Sequence, residues 1–193
     1  YWASFLVLVH PRLARYLAAR KRWALLRRMV IGEGAWLLAM VGLCFVSWQA
    51  TLVVFLLPTF LSRFLMMAGN WAQHAFIDPA DPLNDRKSSI VCINTRYNRR
   101  CFNDGYHIGH HEKPNLHWSE MPRDFLAKRE LYAREGAVVF EGIDYFQVWA
   151  LLMTKRYDVL ARRFVELGDA PRTEREIVAL LRHRTQPISV SRA

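Results

Sequence analysis

Residues 34–62 read GAWLLAMVGLCFVSWQATLVVFLLPTFLS, 29 positions without one charged side chain. A membrane-crossing helix needs about 20 apolar residues, so this run is too long for one span and too short for two by itself. Two helices of about 18 residues fit if each borrows from its flanks. The turn between them is then expected at Ser47-Trp48-Gln49-Ala50-Thr51, the most polar part of the run. Trp48 suits a membrane interface, and Pro58 is expected to kink the second helix. Glu33 stands at the start of the first span, where a boundary side chain reaches water and needs no function.

Charge lies on either side of this run. Pro11 to Arg28 carries Arg12, Arg15, Arg20, Lys21, Arg22, Arg27 and Arg28 among Leu, Ala, Tyr16 and Trp23. That pattern predicts an amphipathic helix on the bilayer surface, its basic side chains toward anionic headgroups. Both outer ends are Arg-rich and the turn is uncharged, so the positive-inside rule puts both ends in the cytoplasm. The whole chain, 193 residues with net charge +10 and 52% hydrophobic residues, follows the same logic. A basic soluble protein would point to nucleic acid, whereas apolarity with segregated charge points to an integral membrane protein and no nucleic-acid partner. Three cysteines without a framework spacing, Cys44, Cys92 and Cys101, argue for a reducing compartment. Tyr1 to Val9 reads as the end of a truncated helix or an interfacial segment, and with no initiating Met residues are expected upstream.

Beyond Arg63 the second helix is expected to run to about Phe76, where Asp78-Pro79-Ala80-Asp81-Pro82 stops it. Ser89 to Asn94 is a short β-like run, and a helix is expected from Asn103 to Pro114. Past Pro122 the chain reads as cytosolic amphipathic helices, one over Ile143 to Leu167 and one opened by the capping box Thr173/Glu176. The expected fold is therefore an all-α membrane protein in three parts. Residues 1–28 form a basic interfacial segment, 29–76 a transmembrane hairpin, and 77–193 a cytosolic region of His-bearing and amphipathic helices.

Five of the seven histidines lie between positions 74 and 117. His107, His110 and His111 spell H-x-x-H-H, which on a helix projects three imidazoles to one side. Neutral imidazole suits Fe, Zn or Cu, and three together make a poor core but a good metal site. His74 follows Asn70 by four residues at the cytoplasmic end of the second span, on the same side of the membrane as the cluster. These four histidines are the candidate ligands. Asp104 either accepts a ring N–H and fixes a tautomer, or it or Asn103 caps the His-bearing helix. His117 and Trp118 are candidates for a headgroup or substrate contact. Arg96, Arg99 and Arg100 read as a clamp for an anionic headgroup or carrier phosphate, or as a solvated basic loop facing the membrane. His10, in Val9-His10-Pro11, has no partner histidine and reads as structural. No H-E-x-x-H occurs, which argues against a membrane zinc hydrolase.

Asn70-Trp71-Ala72-Gln73-His74 followed by Tyr106-His107-Ile108-Gly109-His110-His111-Glu112-Lys113-Pro114 resembles the last two histidine elements of membrane fatty-acid desaturases. In that family a helical hairpin, an isolated N-x-x-x-H and a final H-x-x-H-H follow two earlier His boxes. The resemblance implies an oxidoreductase acting on acyl-lipid or acyl-carrier substrates, with two non-haem iron ions and O₂ as co-substrate. It makes His74, His107, His110 and His111 metal ligands and Asn70 a ligand through water or a supporting partner. It also implies an electron donor such as a ferredoxin, docking on the cytoplasmic face. Related hydroxylases share these boxes, and a non-catalytic lipid-binding remnant is the other alternative. The earlier boxes are missing, since His10 is the only histidine before His74. The sequence as it stands is expected to be the C-terminal portion of such an enzyme and unable to complete a di-iron site alone.

Overall fold

The computed structural model describes residues 9–188. The short apolar stretch expected to close a helix or lie at an interface, residues 1–8, is outside that range. The chain is mostly helical and divides into two compact units, Tyr1–Met67 and Ala68–Ala193.

In the first unit, α1 (Val9–Ala19) buries Leu17 and ends in the turn Arg20-Lys21-Arg22, where Lys21 takes a left-handed φ of 53°. A left-handed residue terminates a helix, so the one basic helix expected over Pro11–Arg28 is broken here. The apolar helix α2 (Trp23–Thr51) starts at residue 23 rather than 29. Ser47 leaves helical geometry (φ −159°, ψ 102°), and its Oγ accepts from the Ala50 N–H at 3.4 Å. That is the bonding of a helix N-cap, so one helix ends and another begins inside the expected turn. A π-helical turn follows over Leu52–Leu56, then α3 (Leu57–Gln73). Pro58 has no N–H and crowds the carbonyl four residues back. The widened turn, with the Leu57 N–H on the Leu52 carbonyl, relieves this beside the proline.

His10 ties this unit together. Its Nε2 lies 3.0 Å from Glu33 Oε1 and 3.1 Å from Arg63 Nη2. A straight helix would hold residues 33 and 63 about 45 Å apart, so the chain bends back between them. Trp23–Gln73 is long and apolar enough to cross a membrane: its most apolar 18-residue stretch has a mean hydropathy of 2.1, yet only 11% of that stretch is buried. A core helix of a soluble protein would be mostly buried.

The second unit begins with the last turns of α3 and continues through α4 (Asp85–Ser88), β1 (Ile90–Ile93), α5 (Arg96–Arg100) and α6 (His107–Glu112). A 3₁₀ turn at Trp118–Glu120 leads to α7 (Met121–Ala127), α8 (Arg129–Glu135) and β2 (Val138–Glu141). The last helices are α9 (Tyr145–Met153), α10 (Tyr157–Arg163) and α11 (Glu174–Arg184), the last opened by the expected Thr173/Glu176 capping box. β1 and β2 pair in parallel, Ile90 with Val138 through Ile93 with Glu141. This pair corrects the all-α class: the fold is mostly helical around a small sheet. Ser89 to Asn94 carried the β signal, but in Val138–Glu141 only the first three residues are apolar, a run too short to be told from helix by periodicity.

Strand alternation sends Ile90, Cys92, Val138 and Phe140 to one face, against Phe76, Tyr145, Leu160 and Leu181. Val91 and Val139 go to the other, against Ile108, Phe125 and Tyr132. Burial on both faces is usual for parallel strands, and the crossover between them carries α6. Two further expectations are corrected. The helix over Ile143–Leu167 is split where Lys155 turns left-handed (φ 56°), and the His-bearing helix is only six residues long. Phe140 is fully buried, with Phe76 and Phe164 at ring-centroid distances of 5.7 and 6.0 Å. Phe140→Ala is expected to cost about 3–5 kcal/mol of unfolding free energy, read by urea denaturation of the detergent-solubilised protein.

Candidate metal centre

His74 lies one residue past the end of α3, where a final tightened turn hydrogen-bonds its N–H to the Trp71 carbonyl at 3.2 Å. His107 and His111 occupy the first and fifth positions of α6 and so share one of its faces. The three rings converge. His107 Nε2 is 3.1 Å from His74 Nε2 and 3.1 Å from His111 Nε2, and the donor nitrogens of all three fall within 4.8 Å of one another.

The outer nitrogens are held from one short element. His74 Nδ1 donates to the Ser88 carbonyl at 2.9 Å, and His111 Nδ1 lies 3.4 Å from Asp85 Oδ1. Both partners belong to α4, whose N-cap Asn84 accepts from the Arg86 N–H at 3.1 Å. A proton on the outer nitrogen leaves Nε2 with a bare lone pair, the tautomer a metal requires. Each neutral ring has one proton, so at most one of the two 3.1 Å approaches is an N–H···N bond. A shared cation satisfies all three lone pairs. Nitrogens bound at about 2.1 Å to one ion lie about 3.0–3.4 Å apart, which the two 3.1 Å separations from His107 match. His107 Nδ1 is buried with no hydrogen-bond partner among the described residues. Burial first, then the neighbouring histidines, depress the His107 pKa to about 3, and burial lowers that of His111 also. The residues present therefore fit one nitrogen-ligated transition-metal ion.

His110 is not in this trio. It is exposed, its ring centroid 5.8 Å from that of His107, and it lines a cleft of about 530 Å³ with Phe102, Tyr106, His117 and Trp118. Its i+3 position rotates it away from the face that the i and i+4 residues share. Asn70 is exposed in the last helical turn of α3. Asp104 Oδ2 accepts from Gln73 Nε2 at 3.0 Å and from the Tyr97 hydroxyl at 2.8 Å, fastening the pre-helix loop to the residue before His74. The N-cap of α6 is Tyr106, without a side-chain cap bond, so neither Asp104 nor Asn103 caps it. His117 is exposed and accepts from the Ser119 N–H at 3.4 Å, Trp118 is exposed, and Arg96, Arg99 and Arg100 lie on the solvent side of α5.

Several positioning residues carried no motif. Glu112 accepts from Arg86 Nε, from Lys128 Nζ at 2.7 Å and from the Tyr132 hydroxyl at 3.1 Å, anchoring the end of α6 to α4 and α8. Burial alone would raise its pKa, but these three donors outweigh it and hold the carboxyl below its ordinary value. The buried Asn98 side chain donates to the Cys92 carbonyl at 2.9 Å and accepts the Gly105 N–H at 3.0 Å. Tyr145, fully buried, donates to the Gly105 carbonyl at 2.8 Å. Gly105 is so closely embraced that a Cβ there would collide with Asn98 Oδ1 and the Cys92 carbonyl. The signal available in the sequence was a lone glycine ahead of a histidine helix, too common to read.

The sequence profile of the fatty acid desaturase family matches residues 1–142, and the chain belongs to that family. The family is one of oxidoreductases of lipid metabolism, generally membrane-bound and iron-dependent. No curated protein and no solved structure gives a significant match to the chain.

Two outcomes follow from this geometry. Gly105→Ala is expected to cost about 1–3 kcal/mol, because the atoms it meets are a backbone carbonyl and a fastened side chain. Urea midpoints measure it, and an Asn98→Ala second change is expected to recover part of the loss. For pH, the folded state keeps His107 neutral to about pH 3 whereas the unfolded chain takes up a proton below about 6.5. Stability with chelator present is therefore full above about pH 6.5 and falls on acidification through this window, by at most about 2 kcal/mol at pH 5. His107→Gln is expected to flatten that slope.

Proposed function

We propose that this chain forms part of the active site of a membrane desaturase that introduces a double bond into an acyl chain with O₂ at non-haem iron. The convergence of three imidazoles, with the outer nitrogens of His74 and His111 held from α4, carries this reading. Bound there, iron would supply the activation of O₂ and the removal of hydrogen from an unactivated C–H. The protein's part is to hold His74, His107 and His111 neutral and oriented. Glu112 keeps α6 in register with the α4 clamp. His110 is the remaining imidazole of the family pattern, and a second iron would require it together with ligands beyond the described trio.

The same reading places the apolar segment across the bilayer as a hairpin turning at Ser47, both ends cytoplasmic and the metal centre on that side. Support comes from the Ser47 break, the His10 link between Glu33 and Arg63, and the arginines of α1 and the following turn. The substrate is a membrane lipid or carrier-bound acyl chain, and electrons come from a small carrier such as a ferredoxin.

The test is made in the natural polypeptide expressed in a lipid-producing host. His111→Ala is expected to abolish product and lower bound iron, and Asp85→Asn to reduce both about 10–100-fold, as loss of an outer-nitrogen partner does. Gas chromatography of host lipids reads the product, a new double bond distinguishing desaturation from the hydroxyl group of a related hydroxylase. Normal product and iron in His111→Ala would overturn the assignment.

A further inference from the structure

One tip of the Ala68–Ala193 unit carries chemistry that the metal centre does not use. Arg96, Arg99 and Arg100 of α5 are exposed and enter no ion pair among the described residues. One residue beyond them, past Cys101, Phe102 and Asn103 both take left-handed backbone, φ 48° and 54°. A bulky residue adopts that region only under constraint, and such outliers cluster at functional surfaces. Here the constraint displays an apolar ring to solvent: Phe102 is 71% exposed. Its ring meets Trp118 edge-on at 5.7 Å, and Trp118 is itself 45% exposed. Asn103 Nδ2 donates to the Trp118 carbonyl at 3.1 Å, so the two segments are fastened with their rings side by side at the surface.

We propose that this tip docks in the headgroup layer of an anionic bilayer, the three arginines on lipid phosphates and the Phe102 and Trp118 rings at the headgroup–acyl boundary. Guanidinium forks match phosphate oxygens, and an indole presents an apolar body with one polar N–H to that layer. Exposed basic and aromatic side chains on one surface are the pattern of interfacial membrane binding. An acidic protein partner would need the arginines alone, whereas two exposed rings, side by side and one of them turned outward by a left-handed backbone, serve a lipid phase. Docking would set the mouth of the cleft lined by Phe102, Trp118 and His110 at the membrane. The inference requires a bilayer but not the metal chemistry proposed above, and it fails or stands separately from it.

The test uses the full chain in nanodiscs of phosphatidylcholine, alone or mixed with phosphatidylglycerol, with amide hydrogen exchange read over residues 96–104 and 115–120. Slower exchange in the anionic discs, reversed by added salt, is expected. Charge reversal (Arg96→Glu, Arg99→Glu, Arg100→Glu) is expected to remove the protection, each arginine being worth about a fivefold change in docked population. Phe102→Asn keeps a residue that tolerates the left-handed backbone while deleting the ring, and is expected to reduce the protection as well. Resistance of every variant to alkaline extraction verifies that the apolar segment stays inserted. Equal exchange in the two lipids, or protection that arises only when an acidic electron-carrier protein is added, would overturn the proposal.

Discussion

Three imidazoles converging on one point, with His107 Nε2 3.1 Å from the Nε2 atoms of both His74 and His111, are the constraint from which the second unit is best understood. Without a shared cation the arrangement is unfavourable, so the surroundings must hold it. The clamp is α4, four residues long. It offers the Ser88 carbonyl to His74, the Asp85 carboxylate to His111, and the Arg86 guanidinium to Glu112 at the end of the His-bearing helix. It is fixed in turn by its cap Asn84, whose amide donates to Asp81 and Glu135. One short helix thus touches both chain segments that supply imidazoles. Their relative placement depends on it more than on α6, which makes little more than one turn of its own.

The parallel strand pair supplies the rigid floor. β1 is joined to the loop before His107 by the Cys92 N–H on the Gly105 carbonyl at 2.8 Å and by the Asn98 side chain, which bonds both. Tyr145, from the helix after β2, closes the same loop from the other side. A loop fixed by a strand, a buried amide and a buried phenol has little freedom to move the ring that follows it. This is the usual way of giving precision to a site on irregular backbone.

The parts legible in the sequence were those carried by residue type and spacing. The absence of charge from Gly34 to Ser62 disclosed the apolar segment, and the H-x-x-H-H spacing with His74 disclosed the imidazoles that meet. What stayed hidden acts through atoms every residue has, or through conformations that residue type does not announce. The Ser88 partner of His74 is a backbone carbonyl. Asp85 lies 26 residues before His111, in a stretch whose prolines signal only a helix stop. The helix breaks fall at Lys21 and Lys155, left-handed lysines where glycine or asparagine would have given a sign. His110 separated from its neighbours because the i+3 position lies on the opposite side of i from i+4, and only the i, i+4 pair faces His74.

The apolar segment makes a different demand on its environment. Between Trp23 and Met66, 21 large apolar side chains are exposed on the chain itself. Even at about 1 kcal/mol each, leaving them in water would cost about 20 kcal/mol, more than the 5–15 kcal/mol by which a domain is normally stable. Something apolar must cover them. Covering by another protein would remove the need for the dense arginines of α1 and the turn after it, which gain nothing in an apolar interface. A bilayer uses both, its acyl core taking the helix faces and its anionic headgroups taking the guanidinium groups. The charge that the composition shows as a surplus is, on this account, the part of the protein that faces lipid phosphate.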